Sequence, residues 1–137
     1  MVNGYRADNG LPAIPQSKSL SLVSSRHVRD LDENIGTLTH GWSDCAYEAS
    51  DSKTWSCMWK APQRWTKYPG NGYEDAHGGT GGYVATAQTS LDGWKKSPAH
   101  NAVVLETGPW KGMAWQALGV GLHRGFAVLW FGKEPDT

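Results

Sequence analysis

The chain has 137 residues, with 13 lysines and arginines against 13 aspartates and glutamates, so its formal net charge is zero. That balance, with no basic stripe, excludes the electrostatic footprint of a nucleic-acid binder, and no apolar run approaches the roughly 18 residues of a spanning helix. The length predicts one domain, residues 1–137, able to bury a core without metal or a disulfide lattice.

Only 39% of the residues are hydrophobic, yet there are eight Trp and 17 Gly; the core must rest on a few large aromatic side chains, with long shaped loops between elements. Val2–Asn9 has the composition of a short helix that Gly10-Leu11-Pro12 ends. Met1-Val2-Asn3-Gly4 runs straight into polar, domain-like sequence rather than a signal-like apolar stretch, which reads as a mature fragment with an added start methionine. Ser17–Ile35 carries the longest helical pattern. Leu20, Val23, His27, Val28 and Leu31 recur at spacings of three and four, and Gly36 closes the run. His27 on that stripe reads as a satisfied core residue rather than a ligand.

Periodicity fades between Gly36 and Gly82, a stretch rich in Gly, Pro, Ser and Asp that also holds Trp42, Trp55, Trp59 and Trp65. So long a loop means function or hidden short elements, and Ala61-Pro62 is a place where a helical turn can begin. Gly78–Gly82 reads as a flexible linker: it lacks the Gly-Lys-Ser/Thr ending of a phosphate loop, and no strand is evident before it. Cys45 and Cys57, 12 positions apart, form either a disulfide or two free thiols. Closing that loop would contribute about 3 kcal/mol in the chain-entropy model.

Val84–Lys96 is the next predicted helix, with Ala87, Leu91 and Trp94 on one face and Ser97-Pro98 as its stop. Gly93 costs it about 1 kcal/mol relative to Ala, which close packing would explain. Lys95 and Lys96 suit the solvated end of a helix, where the dipole favours cations. Asn101–Gln116 is mixed. Leu118–Leu122 and Phe126–Gly132 then read as an antiparallel hairpin turned at His123-Arg124-Gly125, with a turn residue tolerant of positive φ in Arg124-Gly125.

Five blocks in order resemble the CAP superfamily of SCP-like extracellular domains, in its bacterial form. Val2–Arg6 followed by Gly10-Leu11-Pro12 is similar to its opening helix and Gly-Leu-Pro exit. Leu38-Thr39-His40-Gly41 resembles the segment with its first site histidine. Gly72-Tyr73-Glu74-Asp75-Ala76 resembles its Gly-Glu-Asn block, with Tyr inserted and Asp for Asn. Trp94–Asn101 is similar to the Trp-x-x-Ser-Pro-Gly-His-Arg pattern, which places His100 on the second site histidine. Leu118–Leu122 resembles the Ile-Gly-Val-Gly strand. The resemblance implies an α+β fold, an α-β-α sandwich with a small antiparallel sheet between helices, and an extracellular or cell-envelope location in which Cys45 and Cys57 pair. Where many animal and plant members carry a second glutamate, this chain has Ser97.

On that resemblance His40, Glu74 and His100 line one cleft. Two neutral imidazoles and a carboxylate suit zinc or a similar divalent ion, with Glu74 as a ligand or as the group that orients an imidazole. The leading expectation is a secreted binding module for a metal and a small apolar, lipid or glycan ligand. A metal-assisted hydrolase with Glu74 as general base and a structural or adhesion domain without chemistry are the alternatives. No Gly-x-Ser-x-Gly elbow or His-Glu-x-x-His motif occurs. His77 is expected as a solvated loop residue or an extra ligand, and His123 as exposed. Trp55, Trp59 and Trp65 are expected to form either a flat surface for a sugar or apolar ligand, or part of the core beneath the loop.

Overall fold

The computed structural model describes residues 1–137. Helix α1 (Val2–Asp8) ends two residues before Gly10, whose φ of 74° lets the chain reverse. Pro15–Ser17 then adds one parallel bridge to a strand contributed much later, through Leu118 N–H donating to the Pro15 carbonyl (3.0 Å) and Ser17 N–H to the Leu118 carbonyl (2.9 Å). Helix α2 (Lys18–Asp30) follows at once. Its N-cap Ser17 accepts from Leu20 N–H and donates to Asp136, so the chain's last residues close the start of its longest helix. The final turn widens into a π-helical stretch, Leu31–Ile35, stopped by Gly36 at φ 79°.

The aperiodic segment does hide short elements, α3 (Ser56–Trp59), α4 (Ala61–Trp65), which begins at the expected Ala61-Pro62, and, contrary to expectation, the strand β1 (Tyr73–Gly78) directly before the glycine run. β1 escapes a periodicity reading because Glu74, Asp75 and Ala76 are all buried, so polar and apolar positions do not alternate. α5 (Ala87–Lys96) is opened by a Thr86–Thr89 capping box. Ser97 ends it and immediately starts α6 (Pro98–Leu105), so the Ser-Pro stop is also a helix start and His100 lies in the first turn of a second helix. β2 (Ala117–His123) and β3 (Phe126–Gly132) form the expected hairpin. The positive φ of its turn belongs to Arg124 (51°), not Gly125.

The sheet order is β1-β3-β2, all antiparallel. β3 sits in the centre, wholly buried, and sends Phe126, Val128 and Trp130 to one face and Ala127, Leu129 and Phe131 to the other. The first face packs on Leu20, Val23 and Val28 of α2 and on Leu31 of the π-helical stretch after it, and the second on Trp94, Val103 and Val104 of α5 and α6. This is an α-β-α sandwich, an α+β fold. Two glycines of β2 set how closely α2 approaches. A methyl group at Gly119 would lie 2.5 Å from Ser21 N, and one at Gly121 2.5 Å from the Ser24 carbonyl oxygen, both backbone atoms that cannot yield. No helix is long and apolar enough to cross a membrane.

Candidate functional site

Strand alternation places Glu74 on the α2 face of β1, opposite His27. The Glu74 side chain is completely buried, and each carboxylate oxygen is taken by an imidazole. Oε2 meets His27 Nδ1, and Oε1 meets His40 Nδ1 at 2.8 Å. The other ring nitrogen of His27, Nε2, faces the Gly41 carbonyl at 2.8 Å. Both nitrogens of His27 therefore face acceptors, and both must carry protons: the ring is a buried imidazolium. Burial opposes this charge, but the Glu74 carboxylate, the hydrogen bond to it and the Gly41 carbonyl outweigh burial and raise the His27 pKa above 6.5. Aromatic rings enclose the cation, Trp42 tilted 37° at 4.5 Å and Trp130 edge-on at 5.9 Å. Burial likewise works against ionised Glu74, and the two histidines overcome it, holding its pKa below 4.5.

The same carboxylate fixes the tautomer of His40. With Nδ1–H donating to Glu74, the neutral ring presents Nε2 as its lone pair. The ring, half-buried and edge-on to Tyr47 at 5.2 Å, lines a cleft of about 250 Å3 with Leu38, Thr39, Ala49, Ala76 and His100. An adjoining recess of about 470 Å3 shares Leu38, Ala76 and His100 and adds His77 and Tyr83. β1 is an outer strand of the sheet, so Ala76 brings to one trough a histidine from the α2 side and another from the α5–α6 side.

His100 Nδ1 lies 2.7 Å from Ser97 Oγ. Ser97 is the N-cap of α6, yet its side chain caps no backbone N–H and is committed to the imidazole three residues on. Nε2 of His100 is thereby the free nitrogen, as it is in His40. Burial, with the nearby rings of His40 and His77, lowers the His100 pKa below 6.5, which favours the neutral, ligating form. His77 is a strand residue, not a loop residue; its Nε2 is 2.8 Å from the Tyr83 hydroxyl and its ring lies across Gly93, where a Cβ would sit 3.0 Å from Nδ1. That contact explains a glycine inside α5. His123 is half-buried rather than exposed, 3.3 Å from Asp32.

His40 and His100 thus share the trough, whereas Glu74 lies beneath it with no exposed surface and no free oxygen. It can orient His40 but cannot reach water as a general base. No three His, Cys, Asp or Glu side chains are arranged to hold a metal ion, so this site offers two imidazoles and needs its remaining ligands from water or a bound molecule. Cys45 and Cys57 are bonded to each other, closing the loop that carries Tyr47 and Ala49 against the trough. Three participants escape a sequence reading: Gly41 as acceptor for His27, Ser97 as partner of His100, and Tyr47 as a wall. Ser97 gave the one visible signal, a small polar residue where many animal and plant members of the resembled family carry a glutamate.

No family model matches the sequence, and no curated protein matches it. Solved structures do match. An extracellular protein of Bacillus anthracis containing an SCP domain is 20% identical with a TM-score of 0.68, over 97% of this chain and 38% of that one. An outer surface protein of Borrelia burgdorferi is 17% identical at 0.68, over 97% and 86%. A cysteine-rich secretory protein of Staphylococcus aureus is 14% identical at 0.59, over 97% and 36%. The chain spans 38% of the length of the first of these. Its fold is that of a bacterial SCP, or CAP-like, domain.

The two ionised groups set a pH dependence of stability. His27, held above 6.5 in the fold, contributes fully below that value and loses its contribution as pH rises through its folded pKa. Glu74, held below 4.5, contributes above that value and loses its contribution as pH falls. Asp75 opposes the fold across the range above pH 3.8, because burial and then the Glu74 charge raise its pKa well above that value and the fold resists its ionisation, which draws the maximum towards the acid end. Melting followed by circular dichroism should peak between about pH 4.5 and 6.5 and decline on both sides. Glu74→Gln should cost about 3–5 kcal/mol and flatten much of the alkaline limb. A wild-type melting temperature that is level or rising from pH 6.5 upward would contradict the buried imidazolium.

Proposed function

We propose that the chain is an extracellular or cell-envelope binding module whose histidine trough takes a divalent metal ion, zinc in the first instance. The observation that carries this reading is the pair of imidazoles lining one cleft with Nε2 unpartnered, each held at its Nδ1: by the Glu74 carboxylate behind His40 and by the Ser97 hydroxyl behind His100. A carboxylate behind a ligating histidine fixes its tautomer and raises its basicity, and the donor set suits zinc. The bound ion would supply Lewis acidity and a coordination position for a ligand donor. The chain's own residues supply orientation and an uncharged His100. The location is supported by the extracellular and surface character of the structural neighbours and by the disulfide, a bond that persists in oxidising compartments. Isothermal titration with zinc should give a binding isotherm for wild type and at least a tenfold loss for His40→Ala and His100→Ala. Isotherms indistinguishable among the three would remove the metal reading.

A second reading has its own observation. The face of β2 away from α2 leaves Val120 and Leu122 about half exposed (54% and 50%) beside Leu91, Trp94 and Leu129. They line a groove of about 390 Å3 between the start of α1 and α5, a size and polarity typical of small-molecule sites. This groove, rather than the polar trough, suits the small apolar or lipid-like ligand. A fluorescent twelve-carbon fatty acid should bind wild type and lose at least tenfold in affinity on Val120→Asp, an exposed substitution that spares the core. Equal affinity in both proteins would exclude the groove.

A further inference from the structure

The aromatic residues of the middle segment divide in a way that a flat Trp55–Trp59–Trp65 surface does not describe. Trp65 turns to Trp42 and lies between the guanidinium groups of Arg26 and Arg64, 4.9 and 5.0 Å from its ring. Trp55 and Trp59 instead begin a row that runs through Tyr73, the first residue of β1, to Trp110. Centroids are 5.8 Å apart from Trp55 to Trp59, 6.4 Å from Trp59 to Tyr73 and 5.3 Å from Tyr73 to Trp110. All four rings are partly exposed, and the row is anchored below by Trp115 against Phe131. Successive rings are inclined by 59–73°, so the row is a notched ridge rather than a table.

Two features distinguish this ridge from a plain core edge. The Trp59 and Trp110 indole N–H groups and the Tyr73 hydroxyl have no partner within the protein and are not sealed from solvent, so three donors stand along the apolar row. Tyr73 also forms one wall of a polar groove of about 330 Å3, whose other walls include Lys60, Gln63, Asn71, Lys133 and Glu134. Lys60 Nζ donates to Asn71 Oδ1 at 3.0 Å, which holds both side chains across its floor. Amide, ammonium and carboxylate groups beside partly exposed aromatic faces combine donors and acceptors for hydroxyls with apolar surface for the C–H faces of a sugar ring.

We infer that this ridge and groove form a binding site for a saccharide chain, with Trp59, Tyr73 and Trp110 as the contact faces and Gln63, Asn71 and Glu134 as hydroxyl partners. A notched ridge fits a twisted chain touching one ring at a time, and a flat apolar ligand would find no continuous face. The site shares no lining residue with the histidine trough, so neither depends on the other. The test is titration calorimetry of the wild-type chain with cellohexaose, chitohexaose and mannohexaose, repeated with Trp110→Ala, Gln63→Ala and His100→Ala. Saturable binding of at least one hexasaccharide, weakened tenfold or more by Trp110→Ala and measurably by the exposed Gln63→Ala, with His100→Ala unchanged, is the expected result. Should Trp110→Ala fail to melt cooperatively, Gln63→Ala decides. No binding of any of the three sugars, binding indifferent to both ridge and groove variants, or binding lost in His100→Ala would overturn the assignment.

Discussion

A single buried carboxylate ties this protein's architecture to its chemistry. Glu74 has no contact with solvent, yet it is ionised, because an imidazolium from α2 meets one oxygen and an imidazole from the following turn meets the other. Isolated, any of these groups would be expensive to bury; together they satisfy one another, and removing one leaves an uncompensated charge in the core. The arrangement joins β1 to α2 and, through Gly41, fixes the turn that carries His40. The cleft is therefore shaped from below. What faces solvent at His40 is decided by a proton held out of reach of solvent.

The sheet makes that geometry possible. β3 fills the centre, leaving β1 at one edge and β2 at the other, so the trough opens where β1 has no neighbouring strand. α2 can press on β2 only because Gly119 and Gly121 carry no side chain, and that close approach sets the position from which His27 reaches across to Glu74. On the opposite face Trp94 donates its indole N–H to the Ala76 carbonyl, tying α5 to the same strand, and the α5–α6 junction delivers His100. The trough thus samples both layers of the sandwich, which explains why its histidines lie 60 positions apart in sequence.

Much of the fold was legible in the residues, and the reasons are local. α2 declared itself through a stripe spaced by three and four, and the terminal hairpin through two apolar runs about a short turn. β1 did not, because a strand that buries two carboxylates does not look like one: the cost of Glu74 is met by residues far away, which no short window contains. His40 and His100 were found through the resembled pattern, and the structure brings both to one cleft. Glu74, expected to line the same cleft, lies beneath it against His40, a place that depends on His27, whose position on an apolar stripe spoke only for burial. The role of Ser97 was hidden for a related reason. A serine before proline reads as a helix cap, and only the three-dimensional arrangement shows its hydroxyl diverted to an imidazole.

The central claim is a protonation state, and nitrogen-15 correlation spectroscopy of the histidine side chains at neutral pH reads it directly. The account predicts that His27 carries protons on both ring nitrogens, slow to exchange with solvent, while the Nδ1 of His40 carries the proton held by Glu74. A neutral His27, or a His40 without a proton on Nδ1, would contradict it and leave the trough without the buried ion pair that orients its histidine.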